Sequence, residues 1–376
     1  MITNLYETRK IDFTKEPMFF GQGKNTQRFD VMKYKFFDTN NDNQQARFWR
    51  PTEISLLKDK KDFGLMQEHK RWIMTKTLQK LIFLDSLQGR SPFASFALIT
   101  TLPELENAIL TWTFFEGSIH SKSYSWNLRN VYTNPDEIFD ETFDIEILMR
   151  HADKIAGPYN ELFSLVIDYL YKVQNNIYLD DVYMYNLRKS IIKAFINVNI
   201  LEGVRFYSGF ASVWALTEGE GIVAGTSRIL RLICRDENQH LALTQKIINI
   251  LRKTDDEGFK EVFKDMEAEI IQMYAEACDQ EFEWAEFLFS KGSIVGLNAQ
   301  IIQDYLKYIT NQRMKAIGLK PLFPGYTKNP LPWIEAWITE SSTEGTPQED
   351  EVTDYVQGAI NHDETDYTEY EKMFKF

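Results

Sequence analysis

Four apolar runs each place an ionisable side chain where a helix core would be. Asp85 sits in LIFLDSL, Glu116 and His120 in TWTFFEGSIH, Glu202 in NVNILEGVRFY, and Glu237 with His240 in LICRDENQHLAL. An unpaired buried carboxylate costs several kcal/mol, so each of these needs a partner or a metal. For any one of them alone, a buried ion pair such as Glu202 with Arg205 is the simpler account. The set argues otherwise. Glu237 and His240 are spaced i, i+3 and share a helix face. A Glu from each of two helices plus a Glu-x-x-His pair from each of two more is the ligand set of carboxylate-bridged di-metal bundles. The order Asp85 then Glu116/His120, followed by Glu202 then Glu237/His240, repeats one ligand unit with similar spacing. Oxygen donors with one imidazole per ion suit iron or manganese better than zinc or copper.

One spacing is irregular. Glu116 and His120 are four residues apart, which keeps them on one face of a helix but exceeds the i, i+3 pair. A π-bulge absorbs such an extra residue, and Gly117 makes the distortion easier. A bulge near Gly117–Ser118 with Glu116 facing the site is therefore expected. The rival is an undistorted helix that puts Gly117 at the donor position. Tyr124, one turn after His120, is by itself a core tyrosine; walled by Phe206, Phe210 and Ile233 beside two metals, it is a candidate for one-electron oxidation. Trp49, before Pro51, reads first as a packing residue at a helix boundary.

The elements that must hold these groups are helices. Three- and four-residue apolar spacing predicts helices at 67–88, 103–130, 158–174, 182–215, 219–252, 257–289 and 297–317. The breaks fall at Gly89–Pro92, Asn134–Pro135, Gly157–Pro158, Thr254–Gly258, Gly292 and Gly318–Pro332. The segment before residue 67 is mixed, and its polar patch 39–46 has little amphipathic character. Strand alternation is nearly absent, so one all-α bundle over residues 1–340 is expected.

The 376 residues carry 42 basic and 55 acidic side chains, a formal −13, and ten acids against two bases put −8 of it in residues 341–376. That last segment has few aliphatic residues and no periodicity, and is expected to be a flexible acidic tail with an apolar tip at Met373, Phe374 and Phe376. No basic block exists to follow a phosphate backbone, which argues against nucleic acid as a partner. No apolar run reaches the ~18 residues of a spanning helix, and the N-terminus lacks a leader-like apolar stretch. Two cysteines, Cys234 and Cys278, make no disulfide framework. A cytoplasmic protein with no membrane partner is the expectation. Aromatics at 14% imply a large buried core.

The chain closely resembles the small (β) subunit of class I ribonucleotide reductases, of the enterobacterial and T-even phage kind. The resemblance rests on KEPMFFGQ (15–22), FWRP (48–51), LDSLQGRSP (84–92), HSKSY (120–124), LEGVRFYSGF (201–210), ICRDENQH (233–240), FLFSKGSIVGLN (287–298), YITNQRMKAIGL (308–319) and PQEDEVTDY (347–355). It implies a ferritin-like helical homodimer with two iron ions per chain, manganese being the alternative. It also implies that the di-metal centre reacts with O2 to form a tyrosyl radical, which passes to a separate large subunit that reduces ribonucleoside diphosphates. By position, Asp85, Glu116 and His120 would hold one ion and Glu202, Glu237 and His240 the other. Tyr124 would carry the radical; His120, Asp236 and Trp49 would form the route outward; Tyr355, assisted by Glu349, would relay it to the partner. The tail's last residues would be the peptide that docks on the large subunit. The departure is the extra residue between Glu116 and His120, which leaves open an altered metal site with a non-standard metal or radical. A stand-alone di-iron oxidase or desaturase, which would need neither Tyr124 nor Tyr355, and a non-catalytic iron store or scaffold, whose chains are usually far shorter and form closed shells, are the other readings of such a bundle.

Overall fold

The computed structural model describes residues 4–254 and 257–343. Its helices are α1 (Lys35–Gln45), α2 (Leu57–Leu65), α3 (Glu68–Gln88), α4 (Pro103–Phe114), α5 (Ser121–Val131), α6 (Pro135–Asp140), α7 (Glu146–Gln174), α8 (Asp181–Ile200), α9 (Phe206–Glu220), α10 (Ala224–Lys253), α11 (Lys260–Asp265), α12 (Glu267–Leu288), α13 (Ala299–Ala316) and α14 (Ile334–Thr343). Among the described residues no strand forms; Phe19 with Thr100 and Ile294 with Leu297 make isolated bridges. The expected all-α bundle is what the chain adopts. No described helix is long and apolar enough to cross a membrane.

Helix ends follow local chemistry. The Asp180 carboxylate accepts the Tyr183 amide at 2.7 Å to start α8, and Asn298 accepts the Ile301 amide at 2.9 Å to start α13. Gly221, in the left-handed region at φ 68°, stops α9. Asp59 of α2 takes the amides of Gly225 and Thr226 and so caps α10 from a neighbouring helix. That carboxyl is buried, and its burial raises its pKa.

Two expectations on helix extent are corrected. The polar patch after Phe37 is helical as α1, because its polar face is buried and bonded. The Asn40 side chain donates to the Gln239 carbonyl at 3.0 Å, and Asn41 accepts from the Thr111 hydroxyl at 2.6 Å. The expected break at Gly157–Pro158 is absent, since α7 runs through Pro158 for 29 residues. Its apolar face (Ile155, Tyr159, Leu162, Val166) stays buried across that point, and this packing outweighs the one backbone bond that proline removes.

In the centre, α3 packs on α9, and α10 lies against α8, α9 and α14. Trp49, Trp112 and Trp214 are all fully buried there. Three short π-helical turns interrupt the regular helices: Phe93–Ala97, Phe115–His120 between α4 and α5, and Leu201–Arg205 between α8 and α9. The last two carry site residues.

Candidate metal centre

The extra residue between Glu116 and His120 is taken up by a π turn. The Ser121 amide bonds to the Glu116 carbonyl, five residues back, and the Ser121 hydroxyl reaches the same oxygen at 3.1 Å. Gly117 lies against Gly89 at the end of α3, and a Cβ on Gly89 would come 2.9 Å from the Gly117 Cα. Only two glycines permit that backbone approach. Gly117 thus backs onto α3 while Glu116 turns inward. The rival register, with Gly117 facing the site, is not adopted.

Asp85 from α3, Glu116 and His120 from the first π turn, Glu202 from the second, and Glu237 with His240 from α10 are all at 0% exposure and converge. The His120 Nδ1 lies 3.2 Å from Glu116 Oε2, 3.2 Å from Glu237 Oε1 and 3.5 Å from Asp85 Oδ1. The His240 Nδ1 lies 2.9 Å from Glu116 Oε1 and 3.2 Å from Glu237 Oε2. Two overlapping donor groups result: Asp85, Glu116, His120 and Glu237 in one, and Glu116, Glu202, Glu237 and His240 in the other. Glu116 and Glu237 belong to both. Where the resemblance implies three donors for each ion, the donor atoms here lie in two overlapping groups with Glu116 and Glu237 in common.

The electrostatics are those of a cation site. Burial pushes the Asp85 carboxyl up to about 8, and burial together with the charges of Glu237 and Glu116 raises Glu202 well above the usual range. Burial alone would also raise Glu116, but hydrogen bonds to His120 and His240 outweigh it and hold that carboxyl low. Burial opposes charge on His240, yet Glu116 and Glu237 lift it to about 9. Both oxygens of Asp85 and Oε2 of Glu202 are buried without a hydrogen-bond partner. Four carboxylates and two imidazoles with such orphaned oxygens fit two divalent ions.

The surroundings are ordered. Trp112 Nε1 donates to Glu116 Oε1 at 3.1 Å and to Glu202 Oε1 at 3.0 Å. Gln88 Nε2 donates to Glu202 Oε1 at 2.6 Å, and Tyr159 holds Gln88 through a 2.7 Å bond. Sequence spacing did not single out Gln88, Trp112 or Tyr159; nothing marks a tryptophan or glutamine as a carboxylate donor before packing is known. The Glu202–Arg205 ion pair, the simpler account of Glu202 taken alone, does not form; Arg205 bonds Glu281 at 3.0 Å.

His120 Nε2 lies 3.2 Å from Asp236 Oδ2, and Trp49 Nε1 donates to that same oxygen at 2.8 Å. The three residues form one connected line from the donor cluster toward α1. Trp49 is therefore more than a packing residue before Pro51. Tyr124 is buried, its hydroxyl makes no hydrogen bond, and burial together with the negative charge of Asp85 holds its phenol well above its usual pKa. Phe206, Phe210 and Ile233 are completely buried. Tyr355, Glu349 and the segment 341–376 as a docking tail lie outside the described residues, apart from the last turn of α14.

An all-α bundle with two overlapping carboxylate–imidazole groups in its core fits the class of helical proteins that hold a pair of metal ions. Within that class, the chain belongs to the ribonucleotide reductase small chain family, whose model matches residues 28–330. It is 38% identical to the ribonucleoside-diphosphate reductase subunit beta of Buchnera aphidicola, over 99% of this chain and 100% of that one. To the same subunit of Enterobacteria phage T4 it is 33% identical over 97% of each chain. The ribonucleotide reductase R2 subunit from Clostridium botulinum superposes with a TM-score of 0.77 at 30% identity, covering 90% of this chain and 98% of that one. The chain is thus an enzyme subunit of the class I ribonucleoside-diphosphate reductase type.

Proposed function

We propose that this small subunit generates and stores an oxidising equivalent on Tyr124 and delivers it to a large subunit that reduces ribonucleoside diphosphates to deoxyribonucleotides. Two divalent ions, iron first and manganese as the alternative, would be held by Asp85 and His120 on one side, Glu202 and His240 on the other, with Glu116 and Glu237 between. When bound, they supply the reduction of O2. The remaining roles belong to the chain. Tyr124 gives up one electron, which would be consumed in that reduction of O2, and its hydroxyl proton, for which a carboxylate oxygen of the neighbouring Asp85 is the acceptor. Phe206, Phe210 and Ile233 keep water and reductants from the oxidised ring. The observation that carries the proposal is the placement of His120, with one nitrogen on three carboxylates and the other on Asp236, which also holds Trp49. That line moves charge outward, to Tyr355 with Glu349 nearby, and the apolar end of the acidic tail docks on the large subunit. The working unit is a homodimer in the cytoplasm.

Anaerobic loading with Fe(II) followed by O2 should give an organic-radical signal in electron paramagnetic resonance. Absence of any such signal with iron and with manganese would overturn the proposal. Deleting residues 356–376 should abolish large-subunit binding in a pull-down and leave metal uptake unchanged. Normal binding by the truncated chain would refute the docking role.

A further inference from the structure

The two π turns that aim Glu116 and Glu202 are held by different means. The first rests on the backbone contact of Gly117 with Gly89. The second is gripped from outside the donor cluster. Arg313 of α13 donates from Nε to the Gly203 carbonyl at 3.1 Å, and its guanidinium lies 4.8 Å from the Tyr207 ring centroid. A Cβ at Gly203 would come 3.0 Å from the Arg313 side chain, so a larger residue there would push Arg313 away. At the end of the same turn, Arg205 bonds Glu281 at 3.0 Å and Gln280 at 2.6 Å. Glu281 also pairs with Lys80 of α3 and accepts the Ser208 hydroxyl at 2.8 Å. Lys80 and Glu281 are nearly inaccessible to solvent. A buried cluster of this kind is costly unless its geometry is used. Lys80 lies on the helix that carries Asp85, and Arg205 on the turn that carries Glu202, so the cluster links the two end donors of the site.

We infer that Arg313 is a positioning residue that fixes the Leu201–Arg205 π turn, and with it the reach of Glu202, so that filling of the Glu202/His240 position depends on the grip of α13 on that turn, which the Phe115–His120 turn lacks. The inference rests on the di-metal reading for its metal consequence only. The clamp itself is a property of the chain. A group hydrogen-bonded to a metal ligand itself matters by about 10–100-fold in metal affinity; Arg313 acts one residue away from Glu202, so the lower end is expected.

The test compares Arg313→Gln, Arg313→Lys and wild type in full-length protein, by Mn(II) titration and by amide hydrogen exchange without metal. In Arg313→Gln, one equivalent should bind as in wild type and the other about tenfold more weakly, with partial recovery in Arg313→Lys. Exchange at residues 202–206 should quicken in metal-free Arg313→Gln, while residues 116–121 and the thermal midpoint stay near wild type. Unchanged exchange at 202–206, or equal weakening of both equivalents, would overturn the inference. Gly203→Ala gives a second line: it should reproduce the exchange change by displacing Arg313. If wild type binds no pair of ions, the functional proposal fails, and the exchange comparison still decides whether the clamp exists.

Discussion

Replacing Tyr124 with phenylalanine should eliminate the radical signal and leave two metal ions bound. The phenol hydroxyl makes no hydrogen bond in its buried position. Deleting it removes an unsatisfied polar group and leaves the ring packing intact. Such a change is neutral or stabilising by about 1 kcal/mol, so the thermal midpoint should hold or rise slightly. None of the six donor side chains is altered, and metal stoichiometry should remain that of wild type. Other buried tyrosines are poorer candidates. Tyr159 donates to Gln88 and Tyr207 donates to Asn238 at 2.7 Å, and loss of either hydroxyl would strand its acceptor. Electron paramagnetic resonance after Fe(II) and O2 reads the result directly. A radical of wild-type intensity in the phenylalanine variant would move the assignment to one of those residues.

Much of this site was legible from residue types, and the parts that were hidden have a physical cause. The clustered carboxylates and imidazoles stand out because an acid or imidazole in an apolar helical run needs compensation. The rule over-reaches in one direction and under-reaches in the other. Asp59, Glu257 and Glu281 are also buried acids, yet they cap amides or pair with cations. Asp59 and Glu257 escaped notice because their flanking residues are largely polar, and Glu281 because it sits in an acid-rich run, Asp279 to Glu286, that reads as a solvated face. Helix phase is the second gap. In a regular helix Glu202 and Arg205 share a face, which made their pairing plausible. A π turn inserts one residue and rotates the downstream side chains by about 100°. Glu202 accordingly faces the cluster, and Arg205 faces α12. The same rotation reconciles Glu116 with a histidine four residues on. The spacing and Gly117 announced that turn, whereas for Leu201–Arg205 the only hint was Gly203. The helicity of α1 was hidden for a related reason: its buried face is made of asparagine and glutamine, whose burial depends on partners from α4 and α10.

Glu116→Ala should cost the protein both metal ions, whereas Glu202→Ala should weaken mainly one. The difference comes from position. Glu116 places Oε1 2.9 Å from the His240 nitrogen and Oε2 3.2 Å from the His120 nitrogen, so it serves both donor groups. Glu202 serves one group only. Loss of a shared donor should reduce affinity at each position by more than the ~10–100-fold that an outer partner costs. In the metal-free chain the same carboxylate is the one both imidazoles hold most strongly in its charged form. Its removal leaves the fully buried His120 and His240 with fewer compensating charges. Breaking a buried pair in this way costs about 3–5 kcal/mol, so the metal-free variant should also unfold at lower denaturant. Glu116→Gln separates the two effects, because it preserves volume and hydrogen bonding and removes the charge. That variant should recover part of the stability and little of the metal affinity. Titration with Mn(II), read as free ion by electron paramagnetic resonance, and urea unfolding of the metal-free proteins measure the two quantities independently. Two equivalents bound by Glu116→Ala at wild-type affinity would mean that the π turn aims this carboxylate into the cluster without making it a donor, and the extra residue before His120 would then signal an altered metal site.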